Sequence, residues 1–391
     1  MPTPGAAQLV ESALPGLVRD DATTLDTQVA LATIAAPTGA EGHRAEALAA
    51  RLQALGLEVE TDAVGNVLAR LGKRGAAPVV VCAHLDTVFP VETALVPRHA
   101  AERVYCPGIG DNARGLAVLL AVARYLARGE VHPARPIVLA ATVGEEGDGD
   151  LRGARHLFSH TCPDAHAAIA IDGPGDSRIV TDAIGVHRLQ LRMTGPGGHS
   201  WTAHDAPNPL HAISHCAAAV GALPVRRARR TTLTITRLHG GEAVNAVPRE
   251  ATVDIEVRAA DERVVRTTVA AIEHEARAAL AAENARRGPG HPPLQLEITT
   301  TSRRPAGRTD TSHPLVRHCI AATAAIGRHA EFAIASTDAN IPMSLGIPAV
   351  TLGGGGTGGD AHTALEWYAN TDGPRGVARV LAALLATTGI A

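Results

Sequence analysis

PVVVCAHLDTV, residues 78–88, is a run of apolar and largely β-branched side chains that stops at a histidine and an aspartate two positions apart. A continuous apolar run of this length reads as a strand buried on both faces. In an open α/β sheet, ligands are handled beyond the carboxyl ends of the strands, so His84 and Asp86 stand where chemistry is expected. A spacing of two also directs both side chains to one face.

Outward from this stretch, the chain alternates between helical and strand patterns. Residues 21–36 and 41–55 carry apolar side chains at helical spacing, and short strand patterns at 57–61 and 66–71 flank a turn at Gly65. Residues 112–128 read as a helix, 136–143 as a buried strand, 150–160 as a helix and 165–171 as a strand. That alternation predicts an α/β fold with a mostly parallel sheet and helices on both faces. After residue 182 the pattern changes to strand 186–194, helix 208–223, strands 231–238 and 251–258, helix 261–285 and strand 294–300. The order βαββαβ is that of a ferredoxin-like α+β module with one exposed sheet face. From 311 the alternation resumes, with a helix to 327, strands at 331–334 and 348–352, and a helix at 373–388. The simplest organisation is an α/β catalytic domain in two parts, 1–183 and 305–391, interrupted by an inserted lid domain, 184–304. The glycine-rich GGGGTGG at 353–359 follows a buried strand directly and reads as a site loop rather than a linker.

The bulk composition excludes several classes of partner. Of 391 residues, 46% are hydrophobic and 19% charged, as in a soluble globular protein, and the net charge of -3 gives no reason to expect nucleic acid or an anionic membrane. No segment approaches the ~18 uninterrupted apolar residues of a membrane span. The N-terminus lacks a basic stretch followed by an apolar one, and the five cysteines are odd in number with no CxxC pair, so a reducing, cytoplasmic location is expected. Lys73 is the only lysine among many arginines, which reads as genomic bias.

Acidic and histidine residues recur at the ends of predicted core strands: His84 and Asp86, Asp111 in GIGDNARG, Glu145 and Glu146 in TVGEEGDGD, Asp172 in IAIDGPG, and His362 in GGDAHTALEW. A single strand-end carboxylate is more often a cap or turn former. Five clusters after successive strands of one sheet are harder to explain that way. Two imidazoles with several carboxylates and no thiolate suit Zn²⁺, Mn²⁺ or Co²⁺, and they outnumber what one tetrahedral ion needs. In a two-metal site a shared carboxylate holds the ions together and a neighbouring carboxylate takes the proton of the attacking water. The adjacent pair Glu145 and Glu146 fits that division.

The motifs AHLDTV, GDNARG, GEEG, AIDG, GPGGHSW, EAVNAVP and DAHTALEW, in this order over nearly the whole chain, resemble the M20 family of co-catalytic di-metal peptidases and amidohydrolases. The resemblance implies a zinc-exopeptidase-like catalytic domain with two divalent ions, zinc first and manganese or cobalt as alternatives. It implies that His84 and Asp172 bind one metal, Glu146 and His362 the other, and that Asp111 bridges them. It further implies that Asp86 holds the far nitrogen of His84 and that Glu145 is the general base. His199 resembles a lid histidine that stabilises the oxyanion, often in the partner subunit, and a homodimer through the lid is expected. Asn245 and Arg258 resemble lid residues that hold a substrate carboxylate, and the glycine loop, through Gly355, would offer backbone N–H groups to substrate. Asp338 and Asn340 resemble a family element near the site. The sequence departs from the family at Asn112, where an acidic residue or methionine is usual after the bridging aspartate, often across a cis peptide.

The substrates expected are small peptides or N-acylated amino acids. An aspartate at 172 resembles aminopeptidases and dipeptidases of the family more than its carboxypeptidases and deacylases. An N-acyl-amino-acid amidohydrolase or carboxypeptidase with the same site is the alternative, and a non-catalytic metal-binding protein a third reading. The absence of GxxxxGK[ST] speaks against reading the glycine loop as a phosphate cradle.

Overall fold

Side chains of the strand Val79–His84 alternate between two separate cores, which explains its unbroken apolar run. Val79, Val81 and Ala83 pack with Leu116, Leu119 and Leu384, whereas Val80 and Cys82 pack with Leu157, Phe158 and Ile341 on the other face. Each fully buried valine of this kind contributes about 1.5–3 kcal/mol by leaving water. The computed structural model describes residues 5–72, 75–225 and 231–391. They form two compact units, Met1–Ala183 with Arg308–Ala391, and Ile184–Gly307.

The first unit is a mixed α/β structure whose central sheet is mainly parallel. Its strands run in the order Val59–Thr61, Val67–Leu71, Ile137–Thr142, Val79–His84, Ala167–Ile171, Ala349–Leu352, Arg178–Ala183 and Gly307–Arg308, with Glu331–Ala335 beside Arg178–Ala183. The strand Val79–His84 is parallel to both neighbours, with His84 opposite Thr142. The helices Ala113–Ala127 and Gly373–Thr388 cover one face and are buried over nearly their whole length, which Ala- and Leu-rich sequences without a polar stripe require.

Several elements escape the sequence patterns. The helix Ala6–Arg19 contains Pro15, which reads as a breaker. A small antiparallel sheet, ordered Thr357–Gly359, Trp367–Ala369, Arg103–Tyr105 and Arg98–Ala100, has strands too short to show periodicity, yet it frames the loop that carries His362. The helix expected at 150–160 is α-helical only over Arg152–His156 and widens into a π-turn at Leu157–Thr161.

The second unit has the βαββαβ order: Gly185–Thr194, Pro209–Gly221, Thr232–Gly240, Glu250–Ala259, Glu262–Ala285 and Gln295–Arg304. Its antiparallel sheet is ordered with Glu250–Ala259 and Gly185–Thr194 in the middle. Leu189, Leu191 and Met193 face the two helices, and the alternate residues Arg188, Gln190 and Arg192 pair with Glu256, Asp254 and Glu250 on the open face. Asp261 caps the long helix by accepting from the Arg263 N–H. Among the described residues no helix is long and apolar enough to cross a membrane.

Candidate metal centre and active site

Neighbouring strands of the first unit end at the same edge of the sheet, and their last residues or following turns bring the polar side chains together. His84 ends its strand, Asp172 follows Ile171, Glu145 and Glu146 lie just past Thr142, and Asp111 precedes the helix Ala113–Ala127. His362 comes from the loop before Trp367–Ala369 and holds a left-handed φ of 64°, unusual for a non-glycine residue and often found at functional sites. His84 Nε2 lies 2.9 Å from Asp111 Oδ1 and 4.0 Å from Asp172 Oδ1. His362 Nε2 lies 3.2 Å from Asp111 Oδ2 and 2.9 Å from Glu146 Oε1. Thus the two carboxylate oxygens of Asp111 face different histidines. Potential ligand atoms of His84, Asp111 and Asp172 gather within 4.8 Å, as do those of Asp111, Glu146 and His362, and those of His84, Glu145 and Glu146.

The electrostatics are those of acidic groups crowded out of water. Burial pushes the Asp172 carboxyl up to about 7, helped by the charge of Asp111 and opposed by His84 and Arg178. Burial acts on Asp111 in the same direction, but hydrogen bonds to His362 and His84 outweigh it and hold its carboxyl below the usual range. His362 is raised to about 10 by Asp111 and Glu146. Burial disfavours a charged His84, and Asp111 and Asp86 overcome this to keep its pKa well above 6.5. Protons on the two imidazoles therefore stand where cations are called for. The oxygen and imidazole donor set, with one carboxylate shared, fits two divalent ions of the zinc, manganese or cobalt kind.

Asp86 does more than hold His84. Its Oδ1 accepts from the Glu145 N–H at 2.9 Å, and its Oδ2 accepts from the Glu146 N–H at 2.8 Å and the Thr38 hydroxyl at 2.8 Å. His84 Nδ1 is 3.0 Å from the backbone oxygen of Asp86 and 3.5 Å from its carboxylate. Burial would raise the Asp86 pKa, but His84 and the two N–H groups lower it to about 2. The carboxylate thus fixes the turn that presents both glutamates, while it and the backbone oxygen of Asp86, the nearer of the two, both face Nδ1 of His84.

Three supporting residues lie within the motifs GDNARG and DAHTALEW, where the sequence alone assigned them no role. Glu366 is buried and accepts from the N–H groups of Gly108, Gly110 and Asp111 at 2.8–2.9 Å, closing the loop that carries Asp111. Asn112 follows Asp111 across a cis peptide; its side chain accepts from the Gly115 N–H as a helix cap and donates to the Ile171 oxygen. Arg114 is fully buried and donates to the oxygens of Gly354 and Gly373, securing the glycine loop. Thr38, in an APTG turn before the helix Gly42–Ala54, is a fourth supporting residue and lies outside those motifs.

Gly355 departs from its expected role. Its N–H donates to the Gly175 oxygen and its Cα packs against Gly376, so that N–H is occupied within the fold and the glycine serves close packing. Asp338 accepts from the Thr142 hydroxyl, and Asn340 bonds the Thr337 N–H; both are buried. In the second unit, His199 and Asn245 are exposed and line one cleft of about 720 Å³, with the Ser200 N–H donating to the Asn245 oxygen. Arg258 lies toward the other end of its strand, half-exposed, and donates to Glu256 at 2.7 Å. It does not line that cleft.

A family model described as peptidase family M20/M25/M40 matches residues 80–386. A putative succinyl-diaminopimelate desuccinylase of Mycobacterium tuberculosis is 30% identical over 318 residues, covering 78% of this chain and 82% of the relative. Among solved structures, a tripeptidase from Staphylococcus aureus superposes with a TM-score of 0.77 at 23% identity, covering 93% of this chain and 98% of its own. A dinuclear metal-binding M20 peptidase from Bacillus subtilis does so with a TM-score of 0.65 at 16% identity, covering 94% and 96%. The extent of the family match, over a fold and a two-centred ligand cluster of this kind, places the chain in the M20/M25/M40 peptidase family, and the protein is a hydrolase of that family.

Proposed function

We propose that the protein is a co-catalytic di-metal hydrolase that cleaves an amide bond near the end of a small peptide or acylated amino acid. The observation that carries this reading is the placement of Asp111 between two ligand groups, His84 with Asp172 on one side and Glu146 with His362 on the other. Two divalent ions held there would polarise the scissile carbonyl and favour ionisation of the attacking water. Glu145, within ligand distance of His84 and Glu146, accepts a proton from that water and returns it to the leaving nitrogen. Addition of the water oxygen forms the C–O bond and an oxyanion, whose collapse breaks the C–N bond as the nitrogen takes up the proton, giving an acid and an amine. His199 would stabilise the oxyanion, with Asn245 and Arg258 engaging substrate, in a homodimer formed through the inserted unit; a cytoplasmic location accords with five free thiols.

Two narrower readings divide this class. Asp172 supports an aminopeptidase or dipeptidase. The desuccinylase relative and the arginine beside Asp172 support an amidohydrolase acting on N-acylated amino acids. Assays of the zinc-, manganese- and cobalt-loaded protein on di- and tripeptides beside N-acetyl and N-succinyl amino acids separate them. The common mechanism is tested by Glu145→Gln, which is expected to keep about two ions per chain while turnover falls at least ~10²-fold. Undiminished turnover would remove Glu145 as the base, and a folded wild-type chain that takes up no metal would remove the di-metal reading.

A further inference from the structure

Arg178 opens the strand Arg178–Ala183 and is exposed. Its backbone oxygen accepts from Arg379, but among the described residues its guanidinium has no hydrogen-bond or ion-pair partner. In this chain that is a contrast: Arg152, Arg188, Arg258 and Arg328 each engage a carboxylate. Arg178 faces a cavity of about 420 Å³ whose walls include Asp111, Asp172, Gly358, Ala361 and Trp367. The wall at Trp367 is braced by Arg103, whose guanidinium stacks 3.8 Å above the indole ring. Glu366 also reaches the cavity, but its carboxylate is engaged by three backbone N–H groups and does not compete for the arginine.

The cavity borders one side of the candidate centre. Asp111 and Asp172 line it, whereas Glu145, Glu146 and His362 do not. If Glu145 returns a proton to the leaving nitrogen, the amine half of the substrate lies on the Glu145 side, and the cavity receives the acyl half. Two divalent ions would largely offset the carboxylates of Asp111, Asp172, Glu145 and Glu146, and Arg178 is the one basic side chain among the described residues lining the cavity. Its guanidinium, with no carboxylate paired to it among the described residues, gives that wall of the cavity a local attraction for an anion.

We propose that Arg178 is a specificity-determining residue that binds a carboxylate on the acyl group of the substrate, so that the preferred substrates are amides of dicarboxylic acids. This inference rests on the hydrolase reading for the position of the acyl half. The guanidinium fork suits a carboxylate through two parallel hydrogen bonds, and a half-enclosed site strengthens them.

The test compares metal-loaded wild type with Arg178→Gln and Arg178→Lys. Calorimetric titration with succinate is expected to show at least ~10-fold weaker binding in Arg178→Gln, the loss of one charge-assisted contact, with a partial effect in Arg178→Lys. In turnover, the ratio of kcat/KM for N-succinyl-L-alanine to that for N-butyryl-L-alanine is expected to collapse by at least ~10-fold in Arg178→Gln. Equal succinate affinity in wild type and Arg178→Gln, or an unchanged ratio, overturns the proposal. Loss of bound metal from Arg178→Gln also overturns it, because Arg178 would then act through Asp172. Should wild type cleave di- or tripeptides but neither of these compounds, the dicarboxylic preference is overturned; cleavage of none of them makes the hydrolase reading fail separately, and succinate binding still reports on Arg178.

Discussion

Asp86 and His84 are neighbours in sequence with different structural tasks, and removing each should leave a different trace. His84 offers Nε2 to the ligand cluster, so His84→Ala should lose about one of two ions per chain, read by elemental analysis. Asp86 is fully buried and accepts from the Glu145 and Glu146 N–H groups, so Asp86→Ala leaves two buried donors without partners. That should cost about 2–4 kcal/mol in urea unfolding and weaken metal binding by roughly 10- to 100-fold without abolishing it. Equal and complete metal loss from both variants would mean that Asp86 is itself a ligand. At this scale, residues that end a strand are legible, since the apolar run marks the strand and its first polar residue marks the edge. The task of Glu366 was not, because its partners lie 255 to 258 residues earlier in the chain.

Elements were legible where burial imposes a period. The buried run of Val79–His84 and the alternation of Gly185–Thr194 each follow from which faces are covered. The helix Ala6–Arg19 and the three-residue strands around His362 follow from tertiary packing, which no local pattern records. The glycine loop lies between these cases. Its composition announces a loop at a strand end, but the reason for Gly355 is its approach to Gly376 in the helix Gly373–Thr388. Gly355 has a φ of 82°, and a Cβ there would lie 2.6 Å from the Gly376 Cα and 3.1 Å from the Gly373 oxygen. Backbone atoms cannot yield as a flexible side chain would. Gly355→Ala should therefore destabilise the fold by about 2–4 kcal/mol, read as a lower urea midpoint with an unchanged slope. A loss below about 0.5 kcal/mol would show that the loop moves away from the helix at little cost, and would return its N–H groups to consideration as substrate contacts.

At the scale of the whole chain, the ligand cluster belongs entirely to the unit formed by Met1–Ala183 and Arg308–Ala391, and none of it to Ile184–Gly307. Ions bound to folded protein and not to the unfolded chain stabilise what holds them, by about 2.7 kcal/mol when free metal is a hundredfold above Kd. Because the cluster is assembled largely from the ends of Val79–His84, Ile137–Thr142 and Ala167–Ile171, this stabilisation should reach those strands and the first unit they belong to. Hydrogen exchange followed by mass spectrometry provides the measurement. Adding zinc to metal-free protein should slow exchange in these three strands, by up to about a hundredfold where exchange needs the first unit to unfold. Exchange in Glu250–Ala259 and Gly185–Thr194, the central strands of the inserted sheet, should be unchanged. Equal slowing in both units would mean that the ions bind elsewhere or that the units unfold together. Unchanged exchange in the three strands, with metal bound, would place the ions outside the cluster around Asp111.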